Sequence, residues 1–370
     1  MILDEVDAGT RAVLERHSFD AETFERLRAS LVAGALTPGA NVVAGEVEAP
    51  HATDLASMPG PGDPGFEEAY AVGAAALRTG SIATVVLAGG MATRFGGGVK
   101  AVAEAIDGRS FLEIKLGETR RLARELGCAI PEALMTSFAT DDTIGAHLSE
   151  RGLGSPLRFV QPAAPRLRPD GSLFLNADGR ASLYGQGHGD LLSTLRTSGV
   201  LDGLVRAGVR SVLVSNVDNL AARVDPAIVG MHLLSGAPLS VELVQKERDT
   251  GGAPARVDGR PRLLEALQFP PEFDQDSIPV FNTNTSLITV EALADSGALT
   301  WLVVEKSVDG ERVVQFERLY HELSAHVRTT YIVVPRAGPR GRFLPVKQPS
   351  DLEEIQPLLH ETLAASPALV

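Results

Sequence analysis

Apolar positions along the 370-residue chain fall into two periodicities. Between residues 8 and 36, helix formers carry Val13, Leu14, Phe24, Leu27 and Leu31 at about helical spacing, which predicts a helical preface from Ala8 to Leu36. The stretch Met58–Gly65 is crowded with proline and glycine, which block helix and disfavour a central strand, so a loop should lead into the core. Beyond it, short β-branched apolar runs alternate with longer helical patterns. The runs are Ala83–Leu87, Ala133–Ser137, Leu157–Gln161, Ser211–Ser215, Leu239–Val244, Val280–Ile288 and Tyr331–Val334, and the helical stretches include Ser110–Leu126 and Leu191–Ala207. Such alternation predicts an α/β fold with parallel strands joined by crossover helices. Ligands of open α/β sheets sit beyond the carboxyl ends of the strands, so the residues just after these runs carry the candidate chemistry.

Composition narrows the setting. With 44% hydrophobic and 22% charged residues the chain has the balance of a globular protein, and its length allows one large core with smaller additions. A net charge of −13 argues against a sequence-independent nucleic-acid binder, which needs clustered Lys and Arg. The single cysteine, Cys128, offers neither an internal disulfide nor a thiolate metal site. The opening Met1-Ile-Leu-Asp-Glu is acidic where a secretory signal would be basic, and no apolar run reaches bilayer length. A cytoplasmic protein without membrane or nucleic-acid partners is expected.

After the run Thr84-Val-Val-Leu-Ala88 come Gly89, Gly90, Gly96, Gly97 and Gly98, interrupted by Thr93 and Arg94 and followed by Lys100. Glycines let backbone N–H groups approach phosphate oxygens, and Arg and Lys add charge-assisted donors. The loop lacks G-x-x-x-x-G-K-[ST] and G-x-G-x-x-G, which disfavours a P-loop ATPase and a dinucleotide-dependent oxidoreductase. Asp218 follows the apolar run Val212–Val214, which places its carboxylate at the carboxyl edge of the sheet.

The loop is followed in order by Ser110-Phe-Leu-Glu-Ile-Lys115, Met135-Thr-Ser-Phe-Ala-Thr-Asp-Asp142, Gly187-His-Gly-Asp190, Ser215-Asn-Val-Asp-Asn219, Phe281-Asn-Thr-Asn284 and Leu344-Pro-Val-Lys347. In these segments the chain resembles the UDP-glucose pyrophosphorylase family, the UTP–glucose-1-phosphate uridylyltransferases. The resemblance implies a three-layer, Rossmann-like nucleotidyltransferase core of the GT-A type with a mixed, mostly parallel sheet. It would span residues 66–334, after a preface over 1–65 and before a short C-terminal region over 335–370.

The reaction implied is attack of a sugar 1-phosphate oxygen on the α-phosphorus of a nucleoside triphosphate, with UTP favoured, releasing pyrophosphate. Positioning and charge stabilisation carry such chemistry. The implied catalytic residues are Lys100, Arg94, Lys347 and Asp218, with Asp218 also the ligand of Mg²⁺, a hard ion that completes its shell with phosphates and water. Leu87, Ala88, Gly89, Gly90, Gln161, Gly187 and Asn216 are implied at the nucleotide, where the Gln161 amide reads the uracil edge. His188, Gly251, Gly252, Glu265, Asn282 and Asn284 are implied at the sugar phosphate. A site that pairs several hydroxyls rejects analogues lacking them.

The chain departs from the common loop at Ala92 and Val99, where glycine and proline are usual. A different triphosphate, GTP or ATP, or another sugar or cyclitol 1-phosphate is therefore an alternative, and a non-catalytic nucleotide-sugar binder is a third. About two dozen residues follow Lys347, too few for the β-helical domain of larger relatives, so a monomer or small homo-oligomer is expected.

Overall fold

A computed structural model describes residues 1–91, 97–247, 249–295 and 297–365. Its centre is an eight-stranded sheet in the order Leu55–Ser57, Thr329–Val333, Leu239–Gln245, Val280–Thr289, Ser211–Asn216, Ile82–Leu87, Glu132–Thr136 and Leu157–Val160. Neighbours run parallel except at Val280–Thr289, which is antiparallel to both of its partners. The sheet is thus mixed and mostly parallel, as the resemblance implied.

Both faces of the sheet are covered, and so its strands read as continuous apolar runs rather than alternating ones. Successive residues still part to opposite sides. Ala83, Val85, Leu87, Val212 and Val214 pack with Leu191, Leu195 and Leu204 on one face. Ile82 and Leu213 pack with Leu77, Leu122 and Ile228 on the other. The three layers are helix, sheet and helix. On the second face, helices Phe66–Arg78 and Pro226–Ser235 cross so closely that a Cβ at Gly73 would lie 1.8 Å from the Pro226 carbonyl oxygen.

The helix over Phe111–Leu126 begins one residue later than its pattern, because Ser110 serves as its cap. The Ser110 hydroxyl accepts from Glu113 N at 3.1 Å and the Glu113 carboxylate accepts from Ser110 N at 2.7 Å. Two expectations need correction. The stretch Leu191–Ala207 is two helices, Asp190–Thr197 and Val200–Arg206, parted at Gly199 in a left-handed conformation. The preface is helical, with helices Ala8–Arg16 and Ala21–Val32, each capped by an aspartate, Asp7 or Asp20. Its end is not separate from the core, since Leu55–Ser57 pairs with Tyr331–Val333 as the edge strand of the main sheet.

Among the described residues no helix is long and apolar enough to cross a membrane.

Candidate active site

The strands Ile82–Leu87 and Ser211–Asn216 lie side by side and parallel, so the loops after them leave the sheet at the same edge. Gly89 and Gly90 come from the first. Ser137 fixes the start of this loop by donating to the Gly89 carbonyl oxygen at 3.0 Å. Met91 pairs with Val99 across the loop's mouth, and Lys100 N donates to the Gly90 carbonyl oxygen. Gly97 and Gly98 hold φ of 95° and 89°, values that favour glycine. Val99, where proline is usual, is buried and keeps this closure. Ala92, Thr93, Arg94 and Gly96 lie outside the described residues.

The second loop carries Asp218. Lys115, fully buried, donates to Ser215 Oγ at 2.8 Å, to the Asn219 carbonyl oxygen at 3.3 Å and to the Ala222 carbonyl oxygen, which ties both ends of the loop down. Burial pushes its ammonium down to about 7, with the Arg342 charge adding to the effect. The C-terminal segment docks on the outer side of the same loop. Asn219 donates to the Arg342 carbonyl oxygen and accepts from Leu344 N, each at 3.0 Å, and Val346 N donates to the Asp218 carbonyl oxygen at 3.0 Å. Arg342 is anchored in turn by two 2.6 Å hydrogen bonds to buried Glu242.

Lys100 joins all three pieces. Its ammonium lies 3.0 Å from Asp218 Oδ2 and donates to the Val346 carbonyl oxygen. These elements wall a cleft of about 290 Å³ lined by Leu87, Gly89, Gly90, Lys100, Gln161, Gly187, His188, Asn216 and Asp218, with Met135, Gly185 and Val217 completing it. Ala88 does not reach it; fully buried, it contributes a backbone hydrogen bond to Met135. Lys347 is exposed and does not line the cleft, although its neighbour Val346 accepts from Lys100.

The Gln161 amide is held between two glycines. A Cβ at Gly185 would lie 1.6 Å from Gln161 Nε2, and one at Gly89 would lie 2.9 Å from Gln161 Oε1. His188 is oriented by Tyr320, whose N–H donates to His188 Nδ1 at 3.2 Å, so the neutral ring carries its proton on Nε2. Burial lowers this imidazole to about 4, which keeps it neutral at physiological pH.

The residues implied at the sugar gather beside the cleft. Asn284 Nδ2 donates to Asn216 Oδ1 at 2.6 Å, which links the two groups. Asn284 takes a positive φ of 58° and its N–H donates to Asn282 Oδ1 at 3.0 Å. Asn282 N bonds the Gly252 carbonyl oxygen, and a Cβ at Gly252 would meet Glu265 Oε1 at 3.0 Å. Burial, helped by Glu317, raises the Glu265 carboxyl to about 7. Gly251 holds φ of 144° against the ring of Phe281.

Sequence reasoning missed His321. It is buried among these groups, 3.9 Å from Glu265 and 3.4 Å from the Asn282 amide nitrogen, which donates to its Nδ1. One atom each of His188, Glu265 and His321 lie within 4.8 Å of one another, a spacing that could hold a metal ion. The Tyr320 hydrogen bond to His188 Nδ1 leaves Nε2 as a donor, which fits a ligand hydroxyl better than a cation. Asp218 belongs to no cluster of three His, Cys, Asp or Glu side chains among the described residues. A cation there would take its other ligands from phosphate and water, as Mg²⁺ does.

Fold and cleft define a doubly wound α/β protein with a polar cleft at the carboxyl edge of its sheet. The family model described as UTP–glucose-1-phosphate uridylyltransferase matches residues 70–364, and the chain belongs to that family. It is 35% identical over 295 residues to the UTP–glucose-1-phosphate uridylyltransferase of Saccharomyces cerevisiae, covering 73% of this chain and 58% of that protein. To the Solanum tuberosum enzyme of the same name it is 33% identical over 290 residues, covering 73% and 60%. The chain thus spans about three fifths of the length of these curated relatives. In structure it resembles a UDP-glucose phosphorylase from Trypanosoma brucei, with a TM-score of 0.74 at 25% identity over 92% of this chain and 77% of that one. A Leishmania major UDP-glucose pyrophosphorylase mutant solved with UDP-glucose shares the fold at a TM-score of 0.70 and 23% identity, over 94% and 76%.

Proposed function

We propose that the protein joins UTP to glucose 1-phosphate, forming UDP-glucose and pyrophosphate. One observation carries this reading: a single cleft holds Gly89, Gly90, Lys100, Asp218, Gln161 and His188, and the Asn216–Asn284 hydrogen bond ties it to the polar group around Glu265. That is a slot for a base and phosphates continuous with a site for hydroxyls.

An oxygen of the sugar phosphate forms the new bond to the α-phosphorus of UTP while the bond to pyrophosphate breaks. Lys100 stabilises the charge that builds on the α-phosphate and the leaving group, as a donor already fixed in place by Asp218 and the Val346 carbonyl oxygen. Asp218 would hold Mg²⁺, which neutralises the triphosphate when bound. His188 donates from Nε2 to the sugar phosphate, and Gln161 pairs with the uracil edge. Arg94 supplies a further cation toward the phosphates, and Lys347, outside the cleft lining, acts on them only if it swings inward when the substrates bind. Glu265, Asn282 and Asn284 order the hexose, so its phosphate meets the nucleotide at productive distance. The protein works in the cytoplasm as a monomer or small homo-oligomer.

A second reading keeps the reaction and changes the acceptor to another sugar or cyclitol 1-phosphate. The His321 imidazole favours it, because it crowds Glu265 and Asn282 where hydroxyl positions are read. Pyrophosphate release from a matrix of four nucleoside triphosphates and a panel of sugar and cyclitol 1-phosphates, with magnesium, tests both. The first reading expects the highest kcat/KM for UTP with glucose 1-phosphate. Greater activity with another acceptor selects the second, and no release from any pair refutes both.

A further inference from the structure

Two short segments, Val160-Gln161-Pro162 and Gly185-Gln186-Gly187, stand between the nucleotide cleft and a second cavity. Extended backbone sends successive side chains to opposite faces. Gln161, Gly185 and Gly187 accordingly line the cleft, while Val160, Pro162 and Gln186 line a space of about 390 Å³ behind it. The wall is one residue thick.

Three hydrogen bonds strap this wall to the chain segment that orders the sugar end. Arg318 N donates to the Gln186 carbonyl oxygen at 2.9 Å, Gly189 N to the Arg318 carbonyl oxygen at 2.7 Å, and Tyr320 N to His188 Nδ1 at 3.2 Å. The fit leaves no slack, since a Cβ at Gly187 or at Gly189 would come within 2.5 Å of the Arg318 backbone. Movement of Gln186 or Arg318 on the cavity side is therefore passed to Gln161 and His188 on the cleft side.

The second cavity has the features of a built site. Gln186 is only 5% exposed, yet its side-chain amide makes no hydrogen bond to another described residue. The Arg318 guanidinium lies 4.2 Å over the Trp301 ring and 2.6 Å from buried Asp190, and its Nε is buried without a partner. Asp190 and Asp20 offset the one cation, which disfavours an anion. An amide, the hydroxyls of Thr194 and Thr197 and an indole together suit hydroxyl groups on a compact ring.

We propose that this cavity is an effector site for a small uncharged polyhydroxylated molecule, a free sugar or cyclitol, whose contact with Gln186 and Arg318 resets Gln161 and His188. Trp301 is the only tryptophan in the chain, so intrinsic fluorescence reads the cavity directly and needs no turnover. The probes are glucose, trehalose and myo-inositol, titrated into the full chain at millimolar concentrations without magnesium, first alone, then during a UTP titration, and finally with UTP and glucose 1-phosphate in excess. At least one should give a saturable fluorescence change and shift UTP affinity about fivefold or more. Gln186→Leu should abolish the change. Thr197→Phe, at the exposed mouth, should do the same by filling it, and keeps the test open where Gln186→Leu does not fold. The proposal is overturned by no saturable response to any probe, by a response that disappears when substrates fill the main cleft, or by a response to inorganic phosphate alone.

Discussion

Replacing Gly185 by alanine adds one methyl group at the point where the cleft holds Gln161. The new Cβ would sit 1.6 Å from Gln161 Nε2, against an ordinary contact of 3.4 Å or more, so the amide must move by about 2 Å or turn away. Backbone conformation is not the obstacle, because Gly185 is in an extended strand and has no positive φ. The cost falls on the ligand. An amide that pairs with uracil through two hydrogen bonds contributes roughly 1–3 kcal/mol in all, which corresponds to about a 5- to 150-fold weaker hold on UTP. Steady-state kinetics should show a KM for UTP raised by that factor and a lost preference over CTP, with the KM for glucose 1-phosphate nearly unchanged. Thermal unfolding of the variant should stay close to the parent, since the cleft is open to water. An unchanged KM and base preference would refute the placement of Gln161 at the base.

Other substitutions probe other parts of the account. Asp218→Ala should abolish metal-dependent turnover while leaving UTP binding measurable by calorimetry; full activity would remove Asp218 from the mechanism. Arg342→Met leaves Glu242 charged and buried without its partner, and should destabilise the fold by about 3–5 kcal/mol in urea unfolding. Glu265 binds its proton more tightly in the folded state, with a carboxyl raised from 4.5 to about 7. Its contribution to stability is thus fully present below pH 4.5 and lost as pH rises through 7. Glu265→Gln should therefore raise the melting temperature relative to the parent at pH 8 and not at pH 4.5.

Strands were legible because they are buried on both faces, which turns Thr84-Val-Val-Leu87 and Val212-Leu-Val214 into unbroken apolar runs. The helix over Phe111–Leu126 was legible to within one residue from its apolar pattern, and its start was set by the capping pair Ser110 and Glu113. Leu55–Ser57 was not, since three residues carry no periodicity and only the neighbouring strand makes them part of a sheet. Gly199 was passed over because the apolar pattern continues through it, although its left-handed conformation parts two helices. The cleft could be read where its residues come just after strands, as Gly89 and Asp218 do. His321 lacked any such mark. It lies in a short 3₁₀ turn, Tyr320–Ala325, and reaches His188 only through folding. Lys115, which closes the segment Ser110–Lys115, had no assigned role until burial put its three acceptors around it.

The proposed reaction is tested most directly by ³¹P NMR of the protein with UTP, glucose 1-phosphate and magnesium. The account predicts that the resonances of UTP and the sugar phosphate fall together while those of UDP-glucose and pyrophosphate rise in equal amounts. Growth of inorganic phosphate and UDP without UDP-glucose, or no change in any resonance, would contradict it.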